Sequence, residues 1–237
     1  MSTRQSAIVT GGAHRIGKSI ALRLSEMGYD ILLHYRSSGK GAEETRQKIL
    51  ENGVKCRLIQ ADLSEKKAAA SIFGQIPDDW HPEILVNNAS IFQASDFHDK
   101  GSEKLDLHYH INFRSPYLLT KLFFQNFGEG HIINLLDTKV ADHHTDHLDY
   151  ILTKKLLRDF TLIAAAELGP GVRVNGIAPG LVLPPAGKDE EYLLEKARNI
   201  PLQKIGDLEQ IGNAVDFLVK NPFITGQIIF VNGGEHL

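Results

Sequence analysis

Seven short apolar runs, SAIVT (6–10), YDILLHY (29–35), VKCRLIQ (54–60), EILVNN (83–88), HIINLL (131–136), VRVNGIA (172–178) and QIIFVNG (227–233), alternate with longer segments of helical period. Each run is strand-length and rich in Ile, Val and Leu, as expected of strands buried in a largely parallel sheet. Between them, GKSIALRLSEMG (17–28), GAEETRQKILENG (41–53) and YILTKKLLRDFTLIAAAELG (150–169) are amphipathic, and each closes on a Gly suited to cap a helix. Strand, helix, strand repeated over 237 residues predicts one α/β domain spanning 1–237. A doubly wound sheet of this kind holds its ligands at the carboxyl ends of the strands.

A net charge of -3 gives no electrostatic footprint for nucleic acid or an anionic membrane, so both are excluded as expected partners and small-molecule chemistry is favoured. The one cysteine, Cys56, can form no internal disulfide and belongs to no cysteine metal set, which fits a reducing, cytoplasmic setting. The start, MSTRQSAIVTGG, lacks the apolar run of a signal peptide, and no apolar stretch reaches membrane-spanning length. Two adjacent prolines in LVLPPAGKDE (181–190) predict a loop before a short helix, either a lid or an ordinary surface excursion.

The first strand runs into TGGAHRIGKSIA (10–21), where Gly11 begins a tight turn, Arg15 and Ile16 follow, and Gly17 permits close helix packing. Backbone N–H groups at such a helix start hold a pyrophosphate. The second strand ends in His34, Tyr35, Arg36 and Ser37, without the carboxylate that an NAD site uses for its ribose hydroxyls. Arg36 and Ser37, with Arg15 nearby, suit a 2′-phosphate instead, so NADPH is the expected cofactor. Asp62 and Leu63 follow the third strand and can border an adenine; Asn87, Asn88, Ala89 and Ser90 follow the fourth and can line the cleft.

Tyr-x-x-x-Lys occurs three times, at Tyr117/Lys121, Tyr150/Lys154 and Tyr192/Lys196. Only Tyr150 lies just past the fifth strand, at the opening of a long helix bordering the ligand crevice. Tyr117 sits among apolar residues suited to core or subunit packing, and Tyr192 on a short amphipathic helix. One helical turn separates Tyr150 from Lys154, so the ammonium is expected to lower the phenol pKa and to reach a nicotinamide ribose. Tyr150 then becomes a proton donor near neutral pH.

TGGAHRIG, NNAS, Asn112, Tyr150 with Lys154, NGIAPG (175–180) and the closing ITGQIIFVNGG resemble, in order along the chain, the motifs of the short-chain dehydrogenase/reductase family. The resemblance implies a Rossmann-type domain with a seven-stranded, mostly parallel sheet, hydride transfer from a nicotinamide, and commonly a homotetramer. It also implies that Asn112 holds a water in a proton relay and that Pro179, Gly180 and Leu181 border the nicotinamide.

Asp137 stands thirteen residues before Tyr150, where that family usually has Ser. An ionised Asp cannot donate a hydrogen bond to a carbonyl, whereas a carboxylic acid with a raised pKa can protonate the nitrogen of a C=N bond. This departure, with Arg15, HYRSS, NNASIF and the GGEHL terminus, resembles the pteridine reductase branch, which includes dihydromonapterin reductases. It implies a flat pterin between Phe92 and the nicotinamide, with Ser90, Arg15, Asp137 and Tyr150 at its polar edge; aromatic stacking suits such a ring. Two alternatives stay open, a carbonyl reductase with an unusual Asp and a non-catalytic NADPH-binding sensor. ADHHTDH (141–147) is expected to be a polar loop flanking the cleft; His143 and His147, four apart with Asp142 and Asp146 nearby, make a metal site the lesser alternative, and His144 has no assigned role.

Overall fold

The computed structural model describes residues 5–143, 145–185 and 187–237; the N-terminal tetrapeptide, His144 of the histidine segment and Ala186 of the 181–190 loop lie outside the described residues. Every apolar run forms a strand: β1 (Gln5–Val9), β2 (Asp30–Tyr35), β3 (Cys56–Gln60), β4 (His81–Asn87), β5 (Gly130–Leu135), β6 (Val172–Pro179) and β7 (Ile228–Val231). They make one sheet in the order β3-β2-β1-β4-β5-β6-β7, with every neighbouring pair parallel. The helices are α1 (Arg15–Glu26), α2 (Gly39–Glu51), α3 (Ala68–Phe73), α4 (Glu103–His108), α5 (Ser115–Phe127), α6 (Leu148–Leu168), α7 (Glu190–Ala197) and α8 (Leu208–Lys220).

Successive side chains of a strand point to opposite faces, and both faces are covered. Ala7 and Val9 of β1 join Ile20 and Leu24 of α1, Ile49 of α2 and Val215 of α8 in one core cluster. Ile8, between them, joins Leu32, Leu85, Ile72 of α3 and Phe123 of α5 in the other. Full burial of each such side chain contributes about 1.5–3 kcal/mol, so the unbroken apolar runs are what a sheet sandwiched between two helical layers requires.

Gly28 and Gly53 end their helices with φ of +94° and +76°, the left-handed conformation expected of a capping glycine. Gly169 differs, with φ -66° and ψ 149°. The next residue is Pro170, and a residue before proline is driven into extended backbone, so α6 is stopped by the proline instead. Among the described residues no helix is long and apolar enough to cross a membrane.

Candidate active site

Strand order reverses between β1 and β4, and the loops leaving their carboxyl ends separate to open a cleft of about 530 Å³, within the range of small-molecule sites. Gly11, with φ +65°, turns the chain away from β1. His34, buried in β2, braces that turn: its Nδ1 accepts from the Gly11 N–H at 3.1 Å and its Nε2 lies 3.0 Å from the Ala61 carbonyl. Burial lowers the His34 pKa, and a neutral ring accepting at Nδ1 carries its proton on Nε2, where it donates to Ala61.

A Cβ on Gly17 would stand 2.2 Å from the Gly11 carbonyl oxygen and 2.4 Å from Asn88 Nδ2, so only glycine lets α1 approach the turn. The helix has no side-chain cap at His14 and no acidic residue in its first turn, which leaves its N–H groups open to an anion. The residues therefore fit a dinucleotide pyrophosphate. Arg15 adopts φ +54° and donates from Nη2 to the Pro184 carbonyl at 2.9 Å, reaching across to the 181–190 loop.

Ile16, Tyr35, Arg36, Ser37, Asp62 and Leu63 line the cleft. Asp62 accepts from the Ser64 N–H at 2.9 Å and the Ser64 hydroxyl at 2.7 Å, and the first of these bonds does most to hold its pKa down. The Arg36 charge also lowers the Asp62 pKa, which places a cationic group beside Asp62 at the end of β2. In the loop after β4, Asn88 Nδ2 donates to the Thr10 carbonyl at 2.8 Å, while the Asn88 and Ala89 N–H groups donate to the Thr10 hydroxyl at 2.9 and 3.1 Å. Asn87 Nδ2 ties β4 to Asn134 Oδ1 of β5 at 2.8 Å. Pro179, Gly180 and Leu181 line the opposite wall.

Beyond β5 the chain brings Asp137 and Tyr150 together: the Tyr150 hydroxyl donates to Asp137 Oδ2 at 2.7 Å, and the Lys139 N–H donates to Asp137 Oδ1 at 2.9 Å. Lys154 is buried and donates to the Leu135 carbonyl at 2.7 Å, with its Nζ 5.8 Å from the centre of the Tyr150 ring. The expected lowering of the phenol pKa by Lys154 is not found. Burial, then the Asp137 charge and the hydrogen bond to it, push Tyr150 well above its ordinary value. The phenol is a held, neutral donor, and the group whose charge is poised is Lys154, lowered by burial to about 8. A depressed ammonium is charged below that value and neutral above it, so NADPH affinity is expected to weaken as pH rises through about 8. Titrating the NADPH Kd from pH 6 to 10 checks this, and a flat curve overturns it.

Phe92 stands over this pair. Its ring meets Tyr150 edge-on at 4.7 Å and is stacked with His147 at 4.0 Å and 9° between planes, so it already accepts one flat partner. Ser90 and Asn112 form the support behind it: Asn112 Oδ1 accepts from the Ser90 hydroxyl at 3.0 Å and the Ile91 N–H at 2.9 Å, and its Nδ2 donates to the Ile91 carbonyl and Thr153. Asn112 is fully buried in a π-helical turn (Tyr109–Arg114) and, like Asn87, a residue expected to line the cleft, lies behind the lining that the other expected site residues form.

The other two Tyr-x-x-x-Lys pairs fall elsewhere. Tyr117 is 41% exposed on α5 beside Phe113 and Phe160, which removes it from the monomer core. Tyr192 is on a short helix as expected, but it also borders the cleft, with Lys188 and Lys196 5.6 and 5.8 Å from its ring centre. In the histidine segment, His147 pairs with Asp146 at 3.2 Å, and among the described residues no group of three or more His, Cys, Asp or Glu converges as a metal site would. Thr10, Lys139 and Glu235 also line or brace the site, although none of them has a role of its own in the sequence reading.

A family model described as enoyl-(acyl carrier protein) reductase matches residues 11–236. An uncharacterized oxidoreductase of Bacillus subtilis, YjdA, is 32% identical over 98% of this chain and 97% of its own. The 3-oxoacyl-[acyl-carrier-protein] reductase FabG of Staphylococcus aureus is 31% identical over the full length of both chains. Among solved structures, the FolM alternative dihydrofolate reductase 1 of Brucella suis, in complex with NADP, superposes with a TM-score of 0.90 at 30% identity, covering 100% of this chain and 96% of that one. A parallel sheet with a dinucleotide cleft at its switch point, matched from end to end by reductases, leaves one assignment: this chain belongs to the short-chain dehydrogenase/reductase family of oxidoreductases.

Proposed function

We propose that this enzyme is an NADPH-dependent reductase of a dihydropterin, acting on a C=N bond to give the tetrahydro ring. The observation that carries the reading is the 2.7 Å hydrogen bond from Tyr150 to Asp137, a carboxyl where a carbonyl reductase needs a hydroxyl donor. The similarity to a FolM alternative dihydrofolate reductase supports it. NADPH supplies the hydride. The chain supplies the proton: reduction of C=N adds H⁻ to carbon and H⁺ to nitrogen. The Asp137 carboxyl carries that proton, the Tyr150 hydroxyl and the Lys139 N–H fix its plane, and solvent refills it after each turnover. Phe92 offers a face to the flat ring, Arg15 and Ser90 its polar edge, and Asn112 holds the Ser90–Ile91 loop.

The test is NADPH oxidation with dihydropterins, 3-oxoacyl thioesters and simple ketones, repeated with NADH. Pterin turnover with NADPH preferred is expected. Activity on the carbonyl compounds alone would make the chain a ketoreductase like FabG, and tight NADPH binding without turnover would make it a sensor. We further propose a single catalytic unit per chain, a cytoplasmic setting in keeping with the lone free cysteine, and a homotetramer, supported by the exposed Tyr117, Phe124 and Leu156 of α5 and α6 and checked by light scattering.

A further inference from the structure

A second ring lies flat against Phe92. His147 is stacked on it with ring centres 4.0 Å apart and planes 9° apart, while the Tyr150 ring meets Phe92 at 84°. Phe92 lines the cleft and His147 does not, so the histidine covers the face of Phe92 turned away from the cleft and leaves the inner face open. Holding the ring there is costly. His147 adopts φ +58° and ψ +44°, the left-handed conformation that a side chain with a Cβ resists, and such strain persists only where surrounding contacts fix it. Those contacts are the stack itself, a hydrogen bond from Nδ1 to Asp146 Oδ2 at 3.2 Å, and the loop that carries Phe92. From that loop, Ser95 accepts the Leu148 N–H on its carbonyl at 3.0 Å and the Asp149 N–H on its hydroxyl at 2.9 Å. Asp146 Oδ2 also accepts from Lys139 Nζ at 3.3 Å, and the Lys139 N–H is one of the two donors that hold Asp137. The aromatic wall and the carboxyl are thus fixed to one another.

Resting on the dihydropterin reading, we propose that His147 is a positioning residue: it fixes the plane of Phe92 from behind, so that the bound ring forms the inner layer of a three-layer stack, substrate on Phe92 on His147. Phe92 is 40% exposed and, without a backing, free to turn about its side-chain torsions. A flat ring gains full contact only when the aromatic face lies parallel to it. An unbacked Phe92 loses its rotamer freedom on binding, whereas one held by His147 meets the substrate already in place. His147 lies behind Phe92 and away from the reacting atoms, so its effect falls on substrate affinity and not on the chemical step.

The experiment uses His147→Gly, which removes the ring and relieves the left-handed strain. The KM for dihydrobiopterin, and its Kd on the NADP-loaded protein, are expected to rise about threefold to tenfold, the range for one side chain that must be immobilised on binding. The kcat and the NADPH Kd should stay unchanged, with Tm equal to that of the wild type or higher. A residue that merely propped the loop would instead lower Tm and kcat together with affinity. His147→Phe, flat but unable to pair with Asp146, is expected to recover most of the lost affinity; His147→Asn, which tolerates the left-handed backbone but offers no ring, is not. Because the effect passes through Phe92, adding His147→Gly to Phe92→Leu should cost no further affinity. Unchanged pterin affinity in His147→Gly, a loss that tracks Tm, His147→Phe no better than His147→Asn, or losses that multiply with Phe92→Leu would each overturn the role of His147 while leaving pterin reduction standing. A wild type that neither binds nor reduces the pterin overturns both.

Discussion

Asp137→Ser is expected to lower kcat/KM for a dihydropterin by about 10²–10⁴-fold, the range for loss of a positioned general acid, while the NADPH Kd changes little. The side chain is held by two donors, Tyr150 at 2.7 Å and the Lys139 N–H at 2.9 Å, which set the plane of its carboxyl relative to the cleft. A serine hydroxyl is shorter and far less acidic, so it can donate a hydrogen bond to a carbonyl but cannot protonate a ring nitrogen near neutral pH. The same substitution should then leave ketone reduction unharmed or raise it. Steady-state kinetics on both substrate sets decide the matter: unchanged pterin turnover would show that Asp137 is not the acid.

Much of this site is visible in the sequence because it depends on chain position. The apolar runs fixed where strand ends fall, and strand ends decide which of three identical Tyr-x-x-x-Lys pairs borders the crevice. Other features depend on what converges in space. The direction of the Tyr150 shift follows from its burial beside Asp137, which helical spacing to Lys154 does not encode. Thr10 only opens the TGGAHRIG turn in the sequence, yet its hydroxyl collects two N–H groups from the loop after β4, a pairing set by β1 and β4 being neighbours in the sheet. Glu235 enters the cleft through a contact with Gly180, more than fifty residues away in the chain. Gly169 shows the reverse case, a local expectation of a left-handed cap overridden by the proline that follows it.

Tyr150→Phe separates a residue that gives the proton from one that holds the giver. If the phenol were itself the acid, its removal would cost as much as that of Asp137 or more. Because the hydroxyl is bonded to Asp137 Oδ2 at 2.7 Å, it acts chiefly by orienting the carboxyl, and removing one partner of a buried hydrogen bond costs about 1–3 kcal/mol. The variant is therefore expected to lose about 10²-fold in kcat on a dihydropterin, less than Asp137→Ser, with NADPH still bound. The double variant Asp137→Ser/Tyr150→Phe should fall no further than Asp137→Ser alone, since with the carboxyl gone there is nothing left for the hydroxyl to orient. Single-turnover rates on the three variants read this coupling directly. Losses that multiply would mean that Tyr150 and Asp137 deliver separate protons, and the carboxyl would then no longer account for the choice of a C=N substrate.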